Sequence, residues 1–216
     1  IAQRHLAGMH YHGEAGPKDH TEARRLFGLA AAQEDTVAQR ALAGMHYNGE
    51  GGPKDHAEAR RLYGLAAAQG EAAAQGSLGA MHYNGKAGPQ DHAEARRLFG
   101  LAAAQGHVVA QSNLAGMHLN GEGGPKDHAE ARRLFGLAAA QGDAIAQRDL
   151  ADMHYRGDGG PQDYAEARRL YGLAAAQGDA AAQSNLAGMH YNGEAGPQDY
   201  AEARRLCGLA AAQGEA

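Results

Sequence analysis

Thirteen histidines in 216 residues are the first feature that could carry chemistry. His10, His46, His82, His118, His154 and His190 recur at one spacing, and His20, His56, His92 and His128 at another, as a row of zinc ligands would. Ligands sharing one zinc at about 2 Å each must lie within roughly 4 Å of one another. Equivalent residues on stacked helices stand about 10 Å apart. The histidines are therefore expected to form a packed or hydrogen-bonded ladder, with no metal site. Tyr164 and Tyr200 take the second position in later copies, which suits planar packing better than ligation.

Gly44 and Gly49 have the spacing that opens a phosphate-binding loop, but Glu50 stands where lysine is needed. Where Lys86 does occur, Ala80 replaces the first glycine and Ala87 the Ser or Thr. No cofactor or small-molecule substrate is expected. Six Arg-Arg pairs, from Arg24-Arg25 to Arg204-Arg205, form a basic ridge, read as a solvated face neutralised by Glu22, Glu58 and their counterparts. A groove for acidic peptide or nucleic-acid backbone is the sharper alternative. A net charge of −5, a pI near 6.2 and the lack of a repeated aromatic beside the arginines argue against nucleic acid. The single cysteine, Cys207, excludes an internal disulfide. It occupies the place of Phe27, Tyr63, Phe99, Phe135 and Tyr171, and is expected to be a small core residue. No nucleophile and base pair up, so an enzyme is not expected.

The elements that must position these residues follow from an internal period. Copies of 36 residues begin at Ile1, Val37, Ala73, Val109, Ile145 and Ala181, giving repeats 1-36, 37-72, 73-108, 109-144, 145-180 and 181-216 in a single array over 1-216. In the second copy, Ala38, Leu42 and Met45 have the i, i+4, i+7 spacing of one helical face, predicting helix A over about Val37 to Tyr47. Asp35, Glu71, Asp143 and Asp179 stand where they can cap such a helix. The Gly49-Glu50-Gly51-Gly52-Pro53 segment breaks it. Helix B opens at Asp55, with Glu58 placed to complete a capping box, and ends at Gln69-Gly70. Glu58 and Arg61 can pair at i, i+3. Gly64 and its five equivalents interrupt helix B at about 1 kcal/mol each relative to Ala. The expected reason is a close approach by a neighbouring helix. One pair cannot bury its own apolar face, so the expected fold is all-α, a stack of six antiparallel helix pairs.

Apolar residues make up 44% of the chain, with three Phe and no Trp, so the core must rest on small side chains. No stretch approaches the roughly 18 apolar residues of a membrane span, and no secretory signal pattern is present. Neither a membrane nor nucleic acid is an expected partner. The sequence opens on Ile1 rather than Met, and its compartment stays open.

The pattern resembles the Sel1-like repeat, a relative of the tetratricopeptide repeat, on Ala38, Leu42, Ala43, Met45, Gly49-Glu50-Gly51, Asp55, Ala59 and Ala66-Ala67-Ala68-Gln69-Gly70 and their counterparts throughout the chain. His46 stands where the family usually has Tyr, Gly52 where it often has an apolar residue, and Leu65 where it commonly has Lys. The resemblance implies an α/α superhelix, a right-handed solenoid, acting as a scaffold or adaptor, and no catalytic residues.

Twenty of the 36 positions are identical in all six copies, so the remaining positions locate what is free to differ. They concentrate on one face of helix A: Arg4, Arg40, Gly76, Ser112, Arg148 and Ser184; Gly8, Gly44, Ala80, Gly116, Asp152 and Gly188; and the surroundings of Tyr11, Tyr47, Tyr83, Leu119, Tyr155 and Tyr191. In solenoids of this type helix A lines the concave side. A protein-binding groove is expected there, formed by Arg4, Tyr11, His12, Arg40, Tyr47, Asn48, Tyr83, Asn84, Ser112, Asn120, Arg148, Asp152, Tyr155, Arg156, Ser184, Tyr191 and Asn192. A second expectation is self-assembly: ends without polar caps invite head-to-tail stacking into a ring or filament.

Overall fold

The computed structural model describes residues 1–14 and 16–214. Among these residues are twelve helices and no strand: α1 (Ala2–His12), α2 (His20–Ala31), α3 (Thr36–Asn48), α4 (His56–Ala68), α5 (Ala72–Tyr83), α6 (His92–Ala104), α7 (Val108–Asn120), α8 (His128–Ala140), α9 (Ala144–Arg156), α10 (Tyr164–Ala176), α11 (Ala180–Asn192) and α12 (Tyr200–Ala211). Each copy is thus a pair, helix A then helix B. The contacts group into two compact units, Ile1–His107 with α1 to α6 and Val108–Ala216 with α7 to α12. Within each unit every helix packs against the next.

The helices start where the sequence supplies a cap. Asp35 accepts from the Ala38 N–H at 3.0 Å, and Asp143 and Asp179 do the same for Ala146 and Ala182 at 2.7 Å. Helix B begins with the Asp55 carboxylate accepting from the Glu58 N–H at 2.9 Å. The capping box is only half formed, because the Glu58 carboxylate is held by Arg61 Nε and Nη2 at 2.8 and 2.6 Å instead of reaching back. A bidentate guanidinium is the stronger partner for a carboxylate.

Unit 1 buries Ala23, Leu26, Phe27, Ala38, Leu42, Met45, Ala59, Leu62 and Tyr63 in one core. The alanines, fully covered at Ala38, Ala59 and Ala66, let the helices approach, while Leu and Met fill the seams. Each buried Leu or Met contributes roughly 1.5–3 kcal/mol. The helix-B glycines have no part in this. A Cβ added to Gly28, Gly64, Gly100, Gly136, Gly172 or Gly208 would meet nothing within 4 Å, which corrects the expected close approach: that side of helix B faces open space. The steric demand falls on loop glycines, Gly51 and its equivalent Gly159 among them. Gly51 sits at φ 66°, and a Cβ there would collide with the His20 carbonyl oxygen of the preceding copy.

A polar seam that sequence periodicity did not mark runs beside the core. Gln39 is buried; its Nε2 donates to the Ala31 carbonyl of the preceding copy at 3.4 Å, and its Oε1 accepts from Gln69 Nε2 at 2.9 Å. Gln147 repeats this with Ala139 at 3.2 Å and Gln177 at 2.8 Å, and Gln183 with Ala175 at 3.1 Å and Gln213 at 3.0 Å. A buried amide needs such partners, since an unpaired polar group costs about 1–3 kcal/mol.

Cys207 is exposed, which corrects the core assignment. Its equivalent Tyr63 is buried with its hydroxyl toward Gly44, and Phe27 is covered beside α3.

Candidate protein-binding face

Successive A helices leave a groove between them, and the two units build it from equivalent residues. In unit 1 a cavity of about 260 Å³ is lined by Tyr11 and His12 of α1 and by Arg40, Gly44 and Asn48 of α3, with Tyr63 behind. In unit 2 a cavity of about 290 Å³ is lined by Asp152, Tyr155 and Arg156 of α9 and by Ser184, Gly188 and Asn192 of α11, with Tyr171 behind. Tyr155, Ser184, Gly188 and Asn192 stand four copies beyond Tyr11, Arg40, Gly44 and Asn48. Nine of the residues singled out from sequence therefore converge on two equivalent grooves: Tyr11, His12, Arg40 and Asn48 in one; Asp152, Tyr155, Arg156, Ser184 and Asn192 in the other.

The tyrosines are fixed from two sides. Tyr11 stacks on His20 with ring centroids 4.9 Å apart and donates its hydroxyl to Glu50 of the next copy at 2.9 Å; Tyr155 packs edge-on to Tyr164 at 5.0 Å and donates to Glu194 at 3.1 Å. The bond to Glu50, then burial, pushes the Tyr11 phenol upward. Tyr47 packs on His56, Tyr83 on His92, and Tyr191 on Tyr200. The second histidine position is thus an aromatic shelf under the groove tyrosine, and Tyr164 and Tyr200 serve there because packing, not ligation, is required. Tyr191 is the most open of these rings, at 60% exposure.

The arginines of the expected face are tied into the fold. Arg4 pairs with Asp35 at 3.2 Å, Arg40 with Glu71 at 3.2 Å, and Arg148 with Asp179 at 3.2 Å, each acid being the cap of the next copy's helix A. Arg148 also holds Asp149 at 2.8 Å. Burial nonetheless pushes the Asp149 carboxyl up, against the pull of Arg148. Beside it the Tyr171 hydroxyl donates to Asp152, and burial together with that bond raises the phenol far above its ordinary value. Of the remaining expected residues, Asn84 closes α5 through a 2.8 Å bond to the Ala80 carbonyl, Asn120 ends α7 in solvent, and the Ser112 hydroxyl is covered with no hydrogen-bond partner.

Sequence reasoning missed Glu50 and Glu194, which close the groove from the loop, and Asp149 and Asn185, at the position after Arg148 and Ser184. A signal existed for both. The loop position is acidic in every copy but the one with Lys86, and the other reads His5, Ala41, Ser77, Asn113, Asp149 and Asn185.

The basic ridge divides into two jobs. Its second arginines, such as Arg61 and Arg169, hold Glu58 and Glu166 in exposed i, i+3 pairs. Its first arginines leave the ridge: Arg24 Nη2 lies 2.8 Å from His46 Nδ1, and Arg132 Nη2 2.8 Å from His154 Nδ1. Among the described residues no three His, Cys, Asp or Glu side chains converge as a metal-binding group. No helix among them is long and apolar enough to cross a membrane.

A family model described as Sel1 repeat matches residues 1–35, 36–71, 72–107, 108–143, 144–179 and 180–215. A protective antigen of uropathogenic Escherichia coli strains with an SLR fold superposes with a TM-score of 0.94 at 36% identity, over 99% of this chain and 46% of that one. The chain thus spans about half that antigen's length. A Sel1 repeat protein from Oxalobacter formigenes gives a TM-score of 0.86 at 27% identity, over 97% and 84% of the two chains. An immunity protein from Pseudomonas aeruginosa gives 0.56 at 18% identity, over 96% and 81%, which shows a shared fold alone. No curated protein matches the sequence.

Proposed function

Because the chain belongs to the Sel1 repeat family, we propose that it is a non-catalytic scaffold whose helix-A grooves bind a protein partner. Sel1 repeat proteins are generally protein-interaction scaffolds. The observation that carries the reading is the recurrence of one groove in both units, walled by a supported tyrosine and an asparagine, on the helix-A face that also carries the varying positions of Arg40 and Ser184. Rigid aromatics and adaptable amides are the residue types that anchor protein interfaces.

The test is a binding measurement with a partner recovered by cross-linking from Tyr155 and identified by mass spectrometry. Combining Tyr155→Ala with Asn192→Ala should weaken that partner about tenfold or more, as loss of an interface anchor does, while Leu173→Ala on helix B leaves affinity unchanged. The reverse pattern, at unchanged helicity, would place the interface on helix B and overturn the proposal.

A further inference from the structure

The first arginine of each pair and the first histidine of the following copy meet at every junction inside the two units. Arg24 reaches His46, Arg60 reaches His82 with Nη2 3.2 Å from Nε2 and 3.3 Å from Nδ1, Arg132 reaches His154, and Arg168 reaches His190 with Nη2 3.1 Å from Nδ1. We propose that these contacts are an acid-sensitive latch: the neutral histidine of one copy holds the arginine of the copy before it, and the protonated histidine lets it go.

The chemistry allows only one polarity. A guanidinium has five donors and no acceptor, so the imidazole must offer a lone pair. In His46 the nitrogen in reach is Nδ1, while Nδ1 and Nε2 stand 3.3 and 3.2 Å from the guanidinium in His82, 2.8 and 3.4 Å in His154, and 3.1 and 3.3 Å in His190; the neutral ring keeps one nitrogen bare to accept. An added proton turns both ring nitrogens into donors. The bond is then lost, and two cations are left facing each other between two copies.

The other groups around the ring reinforce the switch. His46 has Arg24 on its α2 side, and Asp55, Glu58 and Arg61 on its α4 side. His82 has Arg60, then Asp91, Glu94 and Arg97; His154 has Arg132, then Asp163, Glu166 and Arg169. His190 lies between Arg168 and Glu202. Each imidazolium is thus pushed by the preceding copy and drawn toward the acids of its own helix B. Burial, and after it the facing arginine, holds His46, His82 and His154 below the ordinary value of 6.5. Such a ring binds its proton less readily in the folded chain. Its contribution is complete above pH 6.5 and is lost as the pH falls from there toward the folded pKa. The arginines keep only loop carbonyls afterwards, such as Pro53 for Arg24 at 3.3 Å and Ala87 for Arg60 at 3.0 Å. The latch loosens the junction without dismantling the pairs.

The decisive experiment compares the full chain with the variant H46N/H82N/H154N/H190N by urea unfolding at pH 7.5 and pH 5.0. The Asn Oδ1 stands near the place of Nδ1 and accepts from arginine, but does not titrate. Between pH 7.5 and pH 5.0 the unaltered chain should lose several-fold more of its folded-to-unfolded ratio than the variant does, because His46, His82 and His154 bind protons less readily when folded. Equal losses in both proteins would overturn the proposal. Should the variant fail to fold, ring nitrogen-15 spectra of the unaltered chain across the same pH range decide: His46, His82 and His154 rings that take up their proton only below pH 6.5 support the latch, and rings already protonated above that value refute it.

Discussion

Alanine in place of Gly28, Gly64 and Gly100 should make unit 1 markedly more stable. These glycines lie inside helices α2, α4 and α6, and a methyl group added at any of them would meet no atom within 4 Å. Neither a clash nor a packing gain enters, so the change reduces to helix propensity, about 0.8–1 kcal/mol per site. The three sites lie on separate helices and share no partner, so their effects should add to about 3 kcal/mol. With a urea dependence of roughly 2 kcal/mol per molar, the unfolding midpoint should rise by about 1.5 M. Far-ultraviolet circular dichroism across a urea series measures this directly, provided the slope is unchanged. An unmoved or lowered midpoint at the same slope would refute the reasoning, because it would mean that this side of helix B is closed by something in solution.

Removing the cap acid with Asp35→Ala or Asp179→Ala should cost about 1 kcal/mol of stability or more by thermal melting, since each acid also holds an arginine of the preceding helix A, Arg4 or Arg148. Gly51→Ala should cost more than about 1 kcal/mol, because the left-handed backbone alone penalises a side chain by that amount before the approach of the His20 carbonyl is counted; chemical denaturation would show it. Arg148→Glu should destabilise unit 2 by placing a third carboxylate between Asp149 and Asp179, so calorimetry should find a lower Tm even where partner binding also falls. Glu58, Glu94, Glu130 and Glu166 are held below the usual carboxylate value of 4.5 by their bonds to Arg61, Arg97, Arg133 and Arg169. Their stabilisation is present above pH 4.5 and is lost as the pH falls through their folded values. Being largely exposed, they should produce a shallow loss of helicity.

The repeat, the helix pairs and the core positions Ala38, Leu42 and Met45 were legible because burial on one helical face imposes a spacing that six copies restate. Helix ends were legible to within one residue, with α3 at Thr36–Asn48 against an expected Val37 to Tyr47, because Asp35 and Gly49 have one conformational use each there. What was hidden depended on direction rather than spacing. Gly64 could equally have faced a neighbouring helix or solvent, and only the rotation of helix B decides. Arg24 and Arg25 are adjacent, but successive helical residues diverge by about 100°, so one arginine stays on its own helix and the other crosses to the next copy. Gln39 read as a polar interruption until its partners, Ala31 and Gln69, were placed. The groove residues were identified by their variation among copies, a signal that cannot separate Arg40 and Arg148, tied to cap acids, from Tyr191 and Asn192, open to solvent.

The amide seam has a consequence for how such a chain changes length. Gln39 addresses only the end of the helix one copy back, and Gln75 addresses Ala67 in the same way. Excision of residues 37–72 would bring Gln75 to Ala31 and His82 to Arg24, with every donor meeting the acceptor type it left. A coding sequence built this way can gain or lose whole copies by recombination between its own repeats, and each product inherits a complete set of junctions.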